Sequence, residues 1–423
     1  MEFLDALVPA DFRKSLIGPL KRFYICTLMN STGSGVTLSF FVVYLHNVRG
    51  FSAGFATLLL SLSALASLAT GAWWGTLTDR FGPVRVVLIA YVADAAALVG
   101  WAFVHTRTQA VVIALALAVF GNAGWGPSST LLSRLVPEHH RQRAFGFNFM
   151  LINLGIGFGA LVSAAVVDLH HPTTFTLLYI VNATMTAIAA LTFTSLRAHG
   201  GPVTEHRNNP STAAEGWSTV LRDRRLVLYS LASLVLMIGG YGSQEAGFSL
   251  FVVNNLRLPV HFIGIIFFFN TTTIVVAQLW VLNRIDRRSR TRVLAVVGVL
   301  WFIFWVVLAL ALALPPYVAL FSLCAAMVIF AIGETMLSPV GPALVNEIAP
   351  EHLRGRYNTA AGLTWGISGT FGPAITALFF DNNLGNWWPL CTGLTALVGS
   401  LLMLNLRRRL SPSEDGRVEV ATP

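Results

Sequence analysis

Long apolar runs alternate with short charged loops along the whole chain. Twelve runs, at about 23–46, 52–77, 84–105, 109–133, 144–167, 174–196, 226–253, 260–283, 292–314, 317–339, 357–380 and 387–406, reach about 20 residues or more, the length an α-helix needs to cross a hydrocarbon core. The pattern predicts an all-α membrane protein with twelve transmembrane helices. The second and eighth runs hold enough Gly, Ser and Thr to bend. A polar stretch at 197–225 divides the runs into two sets of six, and its end, Trp217 to Leu226, is expected to form a short surface helix. The organisation read from this pattern is an N-terminal segment 1–22, a six-helix bundle 23–196, a linker 197–225, a second six-helix bundle 226–406 and a polar tail 407–423. Phe3, Leu4, Leu7, Leu16 and Ile17 suit a short interfacial helix. The tail lacks apolar periodicity and is expected to be disordered.

The two sets repeat each other. Pro137, Glu138, His139, Arg141, Arg143, Gly159 and Asp168 recur 213 positions later as Pro350, Glu351, His352, Arg354, Arg356, Gly372 and Asp381. Asp79, Arg80 and Arg85 recur 207 positions later as Asp286, Arg287 and Arg292. The chain therefore reads as a duplicated unit of about 200 residues, giving two pseudo-symmetric parallel bundles.

Composition restricts the solvent. Of the 423 residues, 55% are hydrophobic and 11% charged, less than half the charge of an ordinary soluble domain. A bilayer supplies the apolar surroundings such a chain needs. The net charge of +9 does not signal nucleic acid, because the basic residues sit in loops. With both termini in the cytoplasm, all of the 28 Lys and Arg residues except Arg49, Arg107 and Arg257 fall on the cytoplasmic side, which fixes the expected orientation in a plasma (inner) membrane. Trp101, Trp387 and Trp388 fall near predicted outer ends, where an indole can be half wet. The N-terminus has no cleavable signal pattern. Cys26, Cys324 and Cys391 lie in apolar runs and read as packing residues. No phosphate-binding Gly-rich loop, catalytic constellation or metal spacing stands out, and the His pairs 139–140 and 170–171 are adjacent rather than spaced for a metal. No cofactor and no enzymatic activity are expected.

Three acids fall inside predicted spans: Asp94, Glu245 and Glu334. A carboxyl is expensive there, which makes each a candidate for proton coupling. Glu245 ranks first, because Met237, Tyr241, Gln244 or Glu245, and Phe248 follow helical spacing along one face. The first run carries a polar stripe, Asn30, Ser34, Thr37 and Tyr44 with Phe41 between, at spacings of four, three, four and three. A stripe at helical period suits a wall facing water or substrate. Asn122, Trp125 and Ser129 do likewise in the fourth run, and Asn270 and Trp365 complete the candidate cavity. The repeated Pro-Glu-His-x-Arg-x-Arg loops read as ties between the bundles.

The loop after the second run reads Gly75-Thr-Leu77-Thr-Asp79-Arg80-Phe-Gly82-Pro-Val-Arg85. It resembles the signature loop of the major facilitator superfamily in its Gly, Leu, Asp-Arg, Gly and final basic residue. The resemblance covers nearly the whole chain and implies the fold of that family, with rocker-switch alternating access. It implies a gating role for Gly75, Asp79, Arg80, Gly82 and Arg85, and for the degenerate second copy at Asp286 and Arg287. It also places the seventh helix, with Glu245, at a central cavity and the third, with Asp94, at the periphery. Gly155, Gly157 and Gly159, and Gly366, Gly369, Gly372 and Pro373, resemble the glycine-rich antiporter motif, although Ala160 stands where that motif has Pro. Val220-Leu-Arg-Asp223-Arg-Arg225-Leu226 resembles the junction before the seventh helix in bacterial drug–proton antiporters.

Two departures bear on coupling. Leu117 stands where such antiporters often carry an Arg, and the first helix has Asn30 and no acid. The resemblance implies a monomeric exporter of small hydrophobic or cationic substrates, embedded in the lipid bilayer and driven by protons. Many Phe and Trp residues suit such substrates. Two other readings stay open: a facilitator or importer of a small polar metabolite, and a lipid flippase or non-transporting sensor.

Overall fold

The computed structural model describes residues 12, 16, 18–38, 41, 44–121, 124–168, 171–201, 216–259 and 261–417. The proposed interfacial helix near the N-terminus lies outside them, except for Leu16. Every secondary-structure element among the described residues is helical. In a medium without water, a helix satisfies its own backbone donors and acceptors, which is what long apolar runs require. Many hydroxyls follow the same economy and donate to the carbonyl one turn back, as Thr32 does to Leu28 and Thr70 to Ala66. Ten helices among the described residues are long and apolar enough to cross a membrane.

The chain clusters into two compact units. Unit 1 comprises residues 1–144, 148–216 and 349–360; unit 2 comprises 145–147, 217–348 and 361–423. Compared with the halves read from the sequence, two short pieces change sides, 145–147 and 349–360.

Unit 1 holds α1 (Pro19–Leu38), α2 (Ala53–Phe81), α3 (Pro83–Ala102), α4 (Arg107–Gly121), α5 (Trp125–Leu135), most of α6 (Arg141–Val166) and α7 (Thr173–Thr194). Helix α1 packs on α7, α7 on α3, α3 on α4 and α4 on α2. Gly155 and Gly159 of α6 lie directly against the α1 backbone, where a Cβ would overlap residues 28–36; glycine is what permits that approach. A π turn at Tyr44–Val48 carries Tyr44 into a cluster of Trp101, Phe175 and Tyr179.

Unit 2 begins with the short helix α8 (Trp217–Arg222), where one was expected. It continues with α9 (Arg224–Met237), α10 (Ser243–Asn254), α11 (His261–Ile285), α12 (Arg290–Leu310), α13 (Pro316–Ile348), most of α14 (Arg354–Asp381) and α15 (Trp388–Leu406). Its neighbours follow the same order: α9 on α15, α15 on α12, α12 on α13 and α13 on α11. Asp223 caps α9 and Ser289 caps α12 through backbone amides.

Four details depart from the sequence reading. The seventh run was read as a single span, yet it breaks between α9 and α10, while α2 and α11 are continuous. Helix α13 runs through Pro339 and Pro342 to Ile348, past the expected end at 339, because neighbouring helices accommodate proline inside a membrane bundle. Trp101 and Trp388 are fully buried, and only Trp387 is exposed. The tail is not loose: residues 407–417 fold against unit 2, for reasons given below.

Candidate functional site

The break between α9 and α10 builds the most chemically distinctive place in unit 2. Residues Ile238–Gly242 form a π turn, and Gly240 leaves the helical region entirely at φ −119°, ψ −106°. A side chain at Gly240 would run into the Trp301 ring, and one at Gly242 into the Ser368 backbone. Carbonyls in the turn find other donors. Trp305 Nε1 donates to Gly239 O at 2.6 Å, and Ser243 Oγ donates to Ile238 O at 2.7 Å. Such replacement bonds are the condition for irregular backbone inside a membrane.

The turn delivers Tyr241 into an aromatic cage. Its ring centroid lies 4.6 Å from that of Trp365, 5.4 Å from Trp301 and 5.8 Å from Phe330. Trp301 stacks on Phe330 at 4.9 Å and is fixed there by its indole N–H on the Phe330 carbonyl at 3.2 Å. The Tyr241 hydroxyl and the Glu334 carboxyl act on each other electrostatically. Asn270 Nδ2 donates to Glu334 Oε2. Glu334, from the middle of α13, is 5% exposed. The carboxyl is thus buried, met by Asn270 and close to a tyrosine that packs against three aromatic rings.

The other sequence candidates distribute unevenly. Glu245, on α10, is exposed, whereas its neighbour Gln244 is buried. Glu245 still acts electrostatically on both Tyr241 and Glu334. Phe248 is fully buried between Phe267 and Phe304 and serves as core. Of the polar stripe on α1, Asn30 Oδ1 accepts from Thr186 at 3.4 Å, and Thr37 Oγ1 accepts from Asn182 at 2.8 Å. Both tie α1 to α7 within unit 1. Ser34 donates to the Asn30 carbonyl. Phe41 meets Trp101 edge-on at 5.2 Å, and Trp125 is half exposed. Asn122 lies outside the described residues. Asp94, on α3, faces Gly121 of α4, where a side chain would touch its carboxyl. The structure thus brings Tyr241, Asn270, Glu334 and Trp365 together and leaves Asn30, Ser34, Thr37, Phe41, Trp125 and Asp94 in unit 1. Sequence reasoning missed Trp301, Phe330 and Gly240; the Gly239-Gly240 pair inside an apolar run was the available signal.

The signature loop forms a second polar site, in unit 1. Asp79 is 6% exposed at the end of α2. Its carboxylate caps the first turn of α14, accepting from the amides of Gly355 at 2.7 Å and Arg356 at 3.2 Å, with the Arg356 guanidinium at 3.6 Å. Burial pushes the Asp79 carboxyl up to about 7, against Arg356 and the two amides, which pull it down. Gly75 lies against Thr359 and Arg356 without room for a side chain, and Gly126 lies close to the Thr359 hydroxyl. Gly82 turns the chain at φ 84°. Arg80 lies over the Phe81 ring, and Arg85 is exposed. In the second copy Asp286 is half-buried, and Arg287 takes the left-handed conformation at φ 55°.

Comparison with known proteins agrees with this architecture. A family model described as Major Facilitator Superfamily matches residues 23–253 and 238–422. The chain is 24% identical over 395 residues to an uncharacterized MFS-type transporter, YttB, of Bacillus subtilis, covering 92% of each chain. It is 24% identical over 372 residues to a Na(+), Li(+), K(+)/H(+) antiporter of Planococcus maritimus, covering 79% of this chain and 84% of that one. Among solved structures it resembles the human organic anion transporter MFSD10 (TETRAN), with a TM-score of 0.73 and 13% identity over 92% of this chain and all of the other.

Proposed function

Because the chain belongs to the major facilitator superfamily, and so is a multi-pass membrane transporter rather than an enzyme, we propose that it exports small hydrophobic or cationic compounds in exchange for protons, with Glu334 as the proton-carrying carboxyl. One observation carries the reading: Glu334 is buried at mid-helix, held by Asn270, close to Tyr241 and beside an aromatic cage. A carboxyl is expensive in a membrane span, and one kept there with a polar partner is suited to load and release a proton within a transport cycle. The π faces of Tyr241, Trp365 and Trp301 suit a flat lipophilic cation, which binds by area and cation–π attraction without a fixed hydrogen-bond set. Cation and proton then compete for one carboxylate, and that competition is the coupling.

Glu245 and Asp94 are the remaining candidate proton sites. Asp79 with Arg80 and Arg85 is assigned to gating during alternating access, with both termini cytoplasmic and the protein acting as a monomer. The facilitator reading loses support because Asn30 and Thr37 are engaged with α7. The antiporter from Planococcus maritimus makes inorganic cations part of the test panel.

The test is substrate-induced proton movement in proteoliposomes containing a pH-sensitive dye, across lipophilic cations, neutral drugs, Na+ and K+. Glu334→Gln is expected to abolish the signal and to weaken binding of lipophilic cations while neutral drugs still bind, and Tyr241→Phe to reduce the signal about tenfold, near the loss of one polar partner of a charged group. An undiminished signal in Glu334→Gln overturns the assignment and moves the role to Glu245 or Asp94.

A further inference from the structure

The tail of unit 2 is folded, with one carboxylate buried, where the sequence gives no reason for order. Residues Ser411–Arg417 fold back on themselves: Arg417 N donates to Pro412 O at 2.8 Å, and Asp415 N to Ser411 O at 3.1 Å. Gly416 makes the turn at φ 71°. The fold drives one carboxylate inward, and Asp415 is 0% exposed.

Its seat is fully furnished. Asp415 Oδ1 accepts from the Thr291 amide at 2.9 Å and the Thr291 hydroxyl at 2.8 Å, and Oδ2 accepts from the Ser289 hydroxyl at 2.7 Å. Arg417 Nε stands 3.0 Å away and Arg407 Nε 3.6 Å away. Its carbonyl accepts from the Arg290 amide at 2.8 Å. The N-terminus of α12 is a natural place for negative charge, and here the chain places its own carboxylate there.

The neighbouring residue widens the hold. Glu414 pairs with Arg225 at the start of α9, and its carbonyl accepts from Arg290 Nη1 at 2.6 Å. Arg290 in turn pairs with Glu347 at the end of α13, at 3.6 Å. Arg407 continues directly from α15. One short acidic segment thus connects the starts of α9 and α12 with the ends of α13 and α15.

We propose that this basic end of unit 2 is a docking site for an acidic peptide, and that its occupant is the chain's own Ser411–Arg417. Docking straps four helix ends into one body, with Asp415 as the seated group. The strap is independent of the proton site, and Glu334 has no part in it.

Amide exchange on the purified full-length protein tests this. Asp415→Asn leaves the shape but removes the charge. It is expected to speed exchange about tenfold or more at 289–292 and at 225–228, beyond the tail itself, as local opening of a cooperative element would. A change confined to 411–417 overturns the proposal, because the tail would then be a passive cover. A chain ending at Leu410 supplies the second arm: a synthetic peptide of residues 411–423 should restore protection at 289–292, and the same peptide carrying Asp415→Asn should not. Failure of the unaltered peptide to restore protection in a folded truncated protein also overturns it. If the truncated chain does not fold, the Asp415→Asn exchange pattern decides alone.

Discussion

Gly82 and Ser289 occupy the same place in the two repeats, 207 residues apart, and are covered in opposite ways. In unit 1 the turn before α3 is closed by backbone. Gly82 packs on the carbonyls of Gly200 and Gly201, Gly200 packs on Val84, and Arg134 Nη1 holds the Gly201 carbonyl at 2.8 Å. In unit 2 the turn before α12 is closed by a buried carboxylate, Asp415, on Ser289 and Thr291. In both, the covering segment is the chain that leaves the sixth apolar run of its repeat. The same exchange of chemistry occurs deeper in the bundle. Asp94 corresponds at the 207 offset to Trp301, and Gly121 at the 213 offset to Glu334. Unit 1 therefore has its carboxyl on α3 facing a glycine of α4. Unit 2 has its carboxyl on α13, next to Gly333, which lies against the Trp301 ring of α12. The order of neighbouring helices is inherited unchanged, while the side chains that fill each seam are not. Packing order follows from helix lengths and close backbone approaches; chemistry needs only one carboxyl per seam, and either helix can supply it.

The sharpest way to break the comparison is at the two turns. Gly82→Val combines an unfavourable positive φ with overlap on the Gly200 carbonyl, and is expected to cost about 3–5 kcal/mol. Ser289→Gly loses one hydroxyl contact of Asp415 and is expected to cost about 1 kcal/mol. Melting temperatures of the two purified variants check the order, and a larger loss for Ser289→Gly would show that the carboxylate closure is the tighter one.

An effect between those two is expected at the break in unit 2. Trp305→Phe keeps an aromatic side chain but removes the indole N–H and leaves the Gly239 carbonyl unmet in an apolar interior, at about 1–3 kcal/mol. A melting temperature equal to wild type would mean that another donor takes over.

The smallest effect concerns pH in unit 1. Seated Asp79 sits at about 7, and a solvated aspartate at about 3.9, so seating takes up protons. The seat is then strongest below about pH 4, weakens as pH rises towards 7, and levels off above it. Exchange at the Gly355 and Arg356 amides between pH 5 and 8, corrected for intrinsic rates, should show falling protection, and Asp79→Asn should remove the slope. Protection that rises with pH would rule out the sign.

Much of this was legible in the sequence because membrane helices announce themselves by length and apolarity. The two-fold repeat was legible for a different reason: its loops retain charged residues at fixed spacing. Asp79 was found through its loop pattern, and Glu334 through the cost of a carboxyl in a span. Glu245 and Glu334 differ in burial, which spacing alone does not report, because burial depends on rotation about the helix axis and a single broken turn resets that rotation. The stripe of Asn30 and Thr37 looked like a cavity wall, yet polar groups on a membrane helix are equally able to join a neighbouring helix, and α7 offers Asn182 and Thr186. The tail misled for a third reason. Its order comes from hydrogen bonds and an ion pair with residues more than a hundred positions away, and local composition does not report those.

The π turn at Ile238–Gly242 has a consequence for how this protein can change. A π turn holds about one residue more than an α turn, and one residue is about 100° of rotation. Everything downstream of Gly242 therefore presents a different azimuth from the one a continuous helix would give it. A one-residue deletion at Gly239 or Gly240 can alter that setting and leave every side chain beyond it unchanged. It would turn the whole of α10 like a key and carry Glu245 to a new azimuth in one step. Helical phase is thus a variable that lineages descended from this chain can change separately from the identity of any side chain.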